Sequence, residues 1–233
     1  MTRQEYLDKL LETYAPVSVL SEKNGGRVLR LRHRQLQKDL VLRSYPKAQP
    51  AYEALMALQC ENLPLVYEVV MLDDGQIVLE EYIEGLSVAQ VMETGRYRPM
   101  GARKVLRQVC TALQTLHDLG LVHRDVKPEN VMISQKGRVV LIDFNAARQV
   151  TPEKKDTEVL GTVGYAAPEQ MGVSHTDART DIYALGVLYN VMLTGQHPTQ
   201  VIPKGRAGHV IRKCTAVNPE DRYQTADKLS AAL

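Results

Sequence analysis

The amino-acid sequence predicts an α+β fold in which β-strands fill the N-terminal third of the chain and α-helices fill most of the rest. Residues 28–32 and 40–43 alternate in the manner of half-buried strands. Further along, apolar residues recur at the spacing of one helix face. They are Val105, Leu106, Val109, Ala112, Leu113, Leu116 and Leu119. At 233 residues the chain can bury a large core, and its length allows one domain or two.

The first predicted element is a short leading helix over residues 1–14. Thr2 and Glu5 have the spacing of a capping box, and apolar residues follow at helical intervals until Pro16 ends the pattern. Strands are predicted from residue 17 to residue 45. A helix over residues 51–58 comes next, and a strand over residues 77–83 follows, with Gly85 ending it.

The amino-acid composition limits the functional classes to which this protein can belong. Basic residues (29) and acidic residues (27) almost balance, which argues against nucleic acid as a partner bound through a strongly basic face. Cys60, Cys110 and Cys214 lie far apart, so we expect buried thiols in a reducing compartment rather than disulfides. No stretch approaches the roughly 20 apolar residues of a membrane span, and a signal peptide is not evident. We therefore expect a cytoplasmic location and no membrane segment in this chain, which can still be part of a longer protein.

Residues 123–130, with the sequence His-Arg-Asp-Val-Lys-Pro-Glu-Asn, bring together the groups that phosphoryl transfer needs. Asp125 can accept a hydroxyl proton, and Lys127 can neutralise a moving phosphoryl group. Asn130 offers an amide oxygen to Mg²⁺. This octet resembles the catalytic loop of the eukaryotic-like, bacterial-type Ser/Thr protein kinase family.

Other motifs of this family follow in order. Residues 143–145, Asp-Phe-Asn, resemble the metal-binding Asp-Phe-Gly triplet, with an asparagine that tolerates positive φ in place of glycine. Residues 161–169 resemble the end of the activation loop and finish in Ala-Pro-Glu at Glu169. Asp181 opens a segment that resembles the long central helix. In the family, the arginine that corresponds to Arg222 pairs with the glutamate that corresponds to Glu169.

The resemblance implies a bilobal fold and one protein kinase domain over residues 1–233. A small antiparallel β-sheet lobe is expected at about 15–83 and a mainly helical large lobe at about 84–233, preceded by the leading helix. The implied cofactors are ATP and Mg²⁺, and the implied partner is a protein substrate with a Ser or Thr hydroxyl.

The resemblance also assigns roles in the large lobe. Asn130 and Asp143 are the expected metal ligands. Lys127 is expected beside Thr162, the pairing that marks Ser/Thr rather than Tyr kinases. His123 and Phe144 are expected to be structural, as stacked members of an internal hydrophobic column.

The glycine loop of the small lobe departs from the family pattern. Gly26 and Val28 match its end, but Ser21 and Lys23 stand at the first two glycine positions, with an extra glycine at Gly25. Because glycines there let backbone N–H groups approach phosphates, we expect a looser or differently shaped nucleotide cover. Either Lys23 contacts phosphate or its side chain is solvated.

Arg43 stands where the family has the lysine that binds the α- and β-phosphates. Its charge is retained, but a planar guanidinium differs in geometry from an ammonium group. Glu53 is the best match for the helix glutamate that pairs with that lysine. The alternatives for a replacement cation are Lys47, Lys38 and Arg30.

The residues expected around the adenine complete the small-lobe predictions. Backbone groups of Glu81 and Ile83 are expected to make the hinge contacts. Glu80 occupies the position that guards the rear of the adenine pocket, and we hypothesise that it pairs with Arg43.

The activation loop carries the hydroxyl groups of Thr151, Thr157 and Thr162. In related kinases the arginine that corresponds to Arg124 binds a phosphorylated loop, and Thr157 is the first candidate for that modification. Glu158 is the alternative, as a constitutive negative charge. A further alternative left open by the sequence is that two chains associate and phosphorylate each other.

The leading hypothesis is an ATP- and Mg²⁺-dependent Ser/Thr protein kinase. The substitutions at the glycine loop and at Arg43 leave open a pseudokinase that holds a nucleotide or a partner protein. A small-molecule kinase of the same broad fold is a third alternative, which Lys127, Thr162 and residues 167–169 disfavour.

Overall fold

The computed structural model describes residues 1–23, 25–150, 162, 164–171 and 175–233. The chain divides into two compact units. The first comprises Met1–Cys60 and Pro64–Ile83, and the second comprises Glu61–Leu63 and Glu84–Leu233. The leading helix is thus part of the first unit, whereas a three-residue piece of the N-terminal third belongs to the second.

The first unit contains a five-stranded antiparallel sheet with strand order β1-β2-β3-β5-β4. Its elements are α1 (Arg3–Thr13), β1 (Tyr14–Lys23), β2 (Gly26–His33), β3 (Asp39–Tyr45), α2 (Ala51–Met56), β4 (Val66–Leu72) and β5 (Gly75–Glu81). Apart from β4, these are the strands and helices that the sequence predicts, with shifted ends. The predicted α+β class is confirmed.

Helix α1 covers one face of this sheet. The predicted capping box is present, because the Thr2 and Glu5 side chains each accept a hydrogen bond from the backbone N–H of the other residue. The apolar face of the helix packs on side chains from three central strands. These are Leu29, Leu31, Leu40, Leu42, Ile77 and Leu79. Since side chains alternate along a strand, Arg43 and Glu80 lie on the opposite face of the sheet.

The β1–β2 hairpin carries the residues of the altered glycine loop. Strand β1 runs through Pro16, where the register shifts, because proline has no N–H to donate to the neighbouring strand. Ser21 pairs with Val28 in the ladder. Gly25 has φ of +72°, a conformation that favours glycine, so this extra glycine meets a backbone requirement of the turn.

Helix α2 is shorter than predicted, and its charged residue, Glu53, faces solvent. Its buried face presents Ala51, Tyr52 and Leu55. The Tyr52 hydroxyl lies 3.0 Å from the hydroxyl of Tyr45 on β3. Glu53 is exposed on the other side of this short helix.

The second unit is mainly helical. Its elements are β6 (Gly85–Ser87), α3 (Val88–Glu93), α4 (Pro99–Asp118), β7 (Leu121–Val122), β8 (Val131–Ser134), β9 (Val139–Leu141), β10 (Arg148–Gln149), α5 (Ala178–Thr194), α6 (Gly205–Cys214) and α7 (Ala226–Ala232). Strands β6, β8 and β9 form one small sheet, and β7 pairs with β10 in another. Short 3-10 helices span Pro128–Asn130, Pro168–Met171 and Pro219–Asp221.

Gly85 and Gly186 are among the glycines that allow close approaches in this unit. Gly85 was predicted to end a strand, but it begins β6. A Cβ there would lie 2.0 Å from the carbonyl oxygen of Ile133 on β8. On α5, a Cβ at Gly186 would lie 2.4 Å from the Cβ of Cys214 on α6. Both pairs of elements therefore pack more closely than a side chain would permit.

Helix α4 carries the predicted apolar stripe, which is buried as far as Leu116. Leu119 is 40% exposed because the helix has ended one residue earlier. Cys110 is buried on α4, and Cys214 on α6. Burial raises the pKa of Cys110 to about 12, so this thiol stays protonated at neutral pH. The prediction that these two thiols fill the core is confirmed.

In the described ranges of the chain, no helix combines the length and the apolar character that crossing a membrane requires.

We expect Leu10→Asn on α1 to lower the free energy of unfolding by roughly 1–3 kcal/mol, because it removes a partly buried side chain from the sheet face. Chemical denaturation monitored by circular dichroism measures this. Lys9→Asn, on the exposed side of the same helix, is the matched control. Equal losses in both variants would contradict the proposed packing.

Candidate active site

The loop that carries Asp125 is anchored to the first turn of α5. The backbone N–H groups of His123 and Arg124 donate to the two carboxylate oxygens of Asp181, at 2.9 and 2.8 Å. Arg124 is held with φ of +67°, which ordinary residues avoid. One buried carboxylate thus fixes the backbone immediately before Asp125.

Asp181 remains an anion despite complete burial. Burial alone would raise the pKa of this carboxyl. The hydrogen bond from His117, the charges of His117 and His123, and the backbone N–H of His123 outweigh that effect and lower the pKa. The His117 Nε2 atom lies 2.8 Å from Asp181 Oδ2. The anchor is therefore held in the charged form that accepts backbone hydrogen bonds best.

The side chains of Lys127 and Thr162 both contact the Asp125 carboxylate. Lys127 Nζ donates to Asp125 Oδ2 at 2.7 Å and to Thr162 Oγ1 at 2.7 Å. The Thr162 hydroxyl donates to Asp125 Oδ1 at 2.7 Å. The predicted placement of Lys127 beside Thr162 is present. A carboxylate, an ammonium group and a hydroxyl therefore share one closed set of hydrogen bonds.

Asn130 is oriented by the same aspartate. Its Nδ2 donates to the backbone oxygen of Asp125 at 2.8 Å and to Asp125 Oδ2 at 2.9 Å. Within the described part of the chain its Oδ1 atom accepts no hydrogen bond. Because the amide nitrogen is used by Asp125, the remaining oxygen is a hard donor that fits Mg²⁺.

The segment that carries Asp143 lies next to Asn130. The backbone N–H of Ile142 donates to the Asn130 carbonyl oxygen at 2.9 Å. Asp143 has φ of +68°, whereas Asn145 does not take a positive φ. The exchange of glycine for asparagine therefore introduces no backbone strain at position 145.

The sequence predicts Asn130 and Asp143 as metal ligands. Among the described residues, no cluster of three or more His, Cys, Asp or Glu side chains could hold a metal ion. Asn130 and Asp143 would accordingly supply two protein oxygens, and phosphates and water would complete the coordination.

His123 and Phe144 are both fully buried and in contact. Their ring centroids are 5.3 Å apart in an edge-to-face arrangement. His123 Nε2 lies 3.2 Å from the carbonyl oxygen of Ile142. The two residues tie the Asp125 loop to the Asp143 segment, which agrees with the expected structural role.

The predicted pair of Glu169 and Arg222 is present and bidentate. Arg222 donates from Nη1 and Nη2 to the two carboxylate oxygens at 2.6 and 2.9 Å, and both side chains are buried. Thr180 adds a hydrogen bond to Glu169, and Arg222 also donates to backbone carbonyl groups. The paired charges are thus compensated by further hydrogen bonds, as a buried ion pair requires.

In the first unit, Arg43 pairs with Glu80, as hypothesised. The distance from Arg43 Nε to Glu80 Oε1 is 2.6 Å, and both side chains are buried. The expected pair of Arg43 with Glu53 is absent: the Glu53 carboxylate is exposed and has no hydrogen-bond or ion-pair partner among the described residues. The reason is that α2 buries Tyr52 and Leu55 and turns Glu53 outward.

The alternative cations are placed differently. Arg30 binds Asp39 through Nε at 2.6 Å and lies over the ring of Tyr82. Lys38 and Lys47 are exposed. Arg43 is therefore the buried cation among these four candidates.

The backbone hydrogen bonds of Glu81 and Ile83 indicate which of their N–H and C=O groups could make the expected hinge contacts. The N–H of Glu81 donates to the carbonyl oxygen of Leu65 at 2.8 Å, so Glu81 would contribute its carbonyl group. In the part of the chain that the structure describes, the backbone N–H of Ile83 has no partner.

Sequence reasoning missed two residues that support the loop. Gln170 accepts from the backbone N–H of Ala167 at 2.9 Å and donates to the Arg124 carbonyl oxygen at 2.9 Å. In the sequence, the only feature that marks Gln170 is its position directly after the Ala-Pro-Glu motif. His117, the partner of Asp181, ends the apolar helix face of α4 and carries no motif of its own.

The expectations for Thr151, Thr157 and Glu158 lie outside the described residues. Arg124, the expected partner of a phosphorylated loop, has a buried side chain at 3% exposure.

Comparison with known families agrees with this geometry. The family described as "Protein kinase domain" matches residues 27–233. The chain therefore belongs to the protein kinase domain family, and the predicted resemblance to bacterial-type Ser/Thr kinases is confirmed.

Several curated bacterial proteins are similar to the chain. Serine/threonine-protein kinase PknB of Mycobacterium tuberculosis (strain ATCC 25618 / H37Rv) is 32% identical over 255 residues, covering 92% of this chain and 40% of that protein. Serine/threonine-protein kinase PknE of M. tuberculosis (strain ATCC 25177 / H37Ra) is 37% identical over 185 residues, covering 68% and 33%. A probable PknB of Corynebacterium glutamicum is 32% identical over 206 residues, covering 71% and 32%. The chain spans well under half the length of these relatives.

We expect Arg222→Met to lower the free energy of unfolding by about 3–5 kcal/mol, because Glu169 would stay buried without its counter-ion. Arg179→Met is the control, since Arg179 pairs with the exposed Glu220 and the half-exposed Asp177, and we expect a cost of at most about 1 kcal/mol. Urea denaturation measures both. Recovery of stability in Arg222→Met/Glu169→Leu would confirm the cause.

The lowered pKa of Asp181 predicts a pH dependence. Its stabilising contribution is complete above the ordinary pKa of 3.8 and is lost as the pH falls through the lower folded-state pKa. We expect Asp181→Asn to lower stability by roughly 3 kcal/mol at pH 7, with a difference from wild type that shrinks in strong acid. Unfolding free energies measured from neutral pH to about pH 2 test this. The exposed Asp118→Asn is the control, and a pH-independent difference would contradict the assignment.

Proposed function

We propose that residues 1–233 act as one ATP- and Mg²⁺-dependent protein kinase domain that phosphorylates Ser and Thr hydroxyls of protein substrates. The observation that carries this proposal is the closed set of hydrogen bonds among Asp125, Lys127 and Thr162. The similarity to bacterial proteins named serine/threonine-protein kinases supports it.

Asp125 is the group that would orient the attacking hydroxyl. Its Oδ1 atom already accepts a hydrogen bond from the Thr162 hydroxyl at 2.7 Å. A substrate Ser or Thr is an aliphatic alcohol of the same kind, so this carboxylate can accept its proton in the same way. Lys127 and Asn130 hold the other oxygen, Oδ2, which fixes the rotation of the carboxylate.

Lys127 would contribute positive charge where the phosphoryl group moves. An ammonium group has three N–H donors, and the contacts with Asp125 and Thr162 use two of them. The third can bind a phosphoryl oxygen. Its charge would be most effective as negative charge spreads over those oxygens.

Asn130 and Asp143 would hold Mg²⁺. When bound, this ion neutralises phosphate charge and orients the phosphate groups. The protein prepares the donors by using the Asn130 amide nitrogen for Asp125, so that Oδ1 is the atom left for the ion.

Residues of the first unit would bind ATP. The Ile83 N–H and the Glu81 carbonyl would recognise adenine, and Arg43 would bind phosphate. Gly25, Gly26 and Val28 of the β1–β2 hairpin would cover the nucleotide. These assignments follow the family motif at matching positions in this sequence.

A pseudokinase is the second candidate. Arg43 binds Glu80 through Nε, and Ser21 and Lys23 replace two loop glycines, so nucleotide could bind without efficient transfer. Such a protein would retain ATP affinity while lacking turnover.

The test is transfer of label from γ-labelled ATP to a generic basic protein in the presence of Mg²⁺. We expect Asp125→Asn to lower kcat by about 10²–10⁴-fold, because the hydroxyl would lose its proton acceptor. Removal of Mg²⁺ by EDTA should abolish transfer, and added Mg²⁺ should restore it. Glu93→Gln, exposed on α3, is the control.

Phosphoamino-acid analysis of the product checks the substrate hydroxyl. Phosphoserine or phosphothreonine is expected, and phosphotyrosine would contradict the proposed specificity. Wild-type turnover in Asp125→Asn would contradict the role of Asp125. ATP binding without transfer in the wild type would favour the pseudokinase.

A further inference from the structure

The imidazole ring of His197 forms a hydrogen bond with the backbone at Gly164. The Nε2 atom lies 2.9 Å from the Gly164 carbonyl oxygen. On the other side of the ring, Nδ1 lies 2.8 Å from the Thr199 hydroxyl and accepts the Thr199 backbone N–H at 3.3 Å. Because a carbonyl oxygen can only accept, Nε2 carries the hydrogen and Nδ1 carries the lone pair. Thr199 thus orients the ring so that its N–H points at Gly164.

The segment that carries His197 is tied to helix α5. The buried Asn190 side chain of α5 donates from Nδ2 to the carbonyl oxygens of Gln196 and Val201, at 2.7 and 2.9 Å. These two residues flank His197 in the sequence. The backbone N–H groups of Gln200 and Val201 donate to the His197 carbonyl oxygen at 2.9 and 3.3 Å. His197 therefore projects from a turn whose two ends are bound to one buried side chain of the helix.

Gly164 belongs to the turn that presents Thr162, which we call the Thr162 turn (Thr162 and residues 164–166). The backbone N–H groups of Tyr165 and Ala166 both donate to the Thr162 carbonyl oxygen, at 2.9 and 3.1 Å. Gly164 has φ of +92°, a conformation that favours glycine. A Cβ there would meet no atom within 4 Å, so side-chain packing does not restrain this position. The hydrogen bond from His197 does restrain it.

Helix α5 is thereby connected to both sides of the contact between Asp125 and Thr162. At its first turn, Asp181 binds the backbone immediately before Asp125. Beyond its last residue, His197 binds the turn that carries Thr162. The hydroxyl of Thr162 then donates to the Asp125 carboxylate at 2.7 Å. The position of one reactive group relative to the other thus depends on a single helix.

We propose that His197 is a positioning residue that holds the Thr162 turn at Asp125, so that the two ends of α5 fix the two sides of this site. The proposal rests on the proposed phosphoryl transfer, but the restraint on the turn can be measured without turnover.

Three variants test the proposal. His197→Phe keeps a planar ring but removes the N–H donor, whereas His197→Gln places an amide N–H near the position of Nε2. His209→Phe is the matched control, because His209 is exposed on α6. The readouts are kcat and the KM for ATP, the hydrogen exchange of the Tyr165 and Ala166 amides, and the thermal midpoint.

We expect His197→Phe to lower kcat about tenfold, as loss of one hydrogen bond that positions a reacting group allows. The KM for ATP should stay unchanged, since the residues proposed to bind adenine belong to the first unit. The two amides should exchange about tenfold faster, because the turn opens more often. His197→Gln should restore kcat and exchange to within about threefold of wild type. His209→Phe should change neither.

Several results would overturn the proposal. Equal losses in His197→Phe and His197→Gln would show that the N–H donor is not what matters. Unchanged amide exchange in His197→Phe would show that the turn is not restrained by His197. Unchanged kcat despite faster exchange would show that the restraint does not serve transfer, and effects of the same size in His209→Phe would show that they are not specific.

The test does not depend on one variant or on activity. If the thermal midpoint shows that His197→Phe does not fold, His197→Ala removes the donor without adding bulk and takes its place. If no protein transfers phosphate but the amide exchange changes as expected, the proposed catalysis fails while the restraint of the Thr162 turn by His197 stands.

Discussion

The second unit depends on one buried carboxylate that binds backbone rather than substrate. Asp181 accepts the N–H groups of His123 and Arg124 and is kept ionised by His117 and these hydrogen bonds. The contacts of Asp125 with Lys127, Asn130 and Thr162 are made by a loop whose start is fixed in this way. The geometry of the reactive groups is therefore set by an electrostatic anchor located in a helix.

The sequence predicted the parts that are encoded by contiguous patterns. The strand alternation, the stripe on α4, the capping box at Thr2 and the octet at 123–130 are all local signals, because each depends on spacing alone. The pairs formed between distant motifs, such as Glu169 with Arg222, required the family resemblance. The partner of Arg43 was ambiguous, because spacing does not show that α2 buries tyrosine and leucine and turns Glu53 outward.

Buried charges are stabilised by different means in the two units. Arg222 has a bidentate partner together with several backbone carbonyl groups, so its whole guanidinium serves the fold. Arg43 is held by Glu80 through Nε. In both cases the buried charge is compensated by a carboxylate of opposite charge, as burial of an ionised group requires.

The left-handed backbone at Arg124 and Asp143 has an evolutionary consequence. Each residue has a positive φ that costs a non-glycine residue about 1–2 kcal/mol, and glycine would relieve it. A search for more stable variants would therefore be drawn to these two positions, where the stabilising exchange removes a side chain assigned to phosphate or metal chemistry. Selection for thermostability and selection for phosphoryl transfer should thus diverge first at these residues.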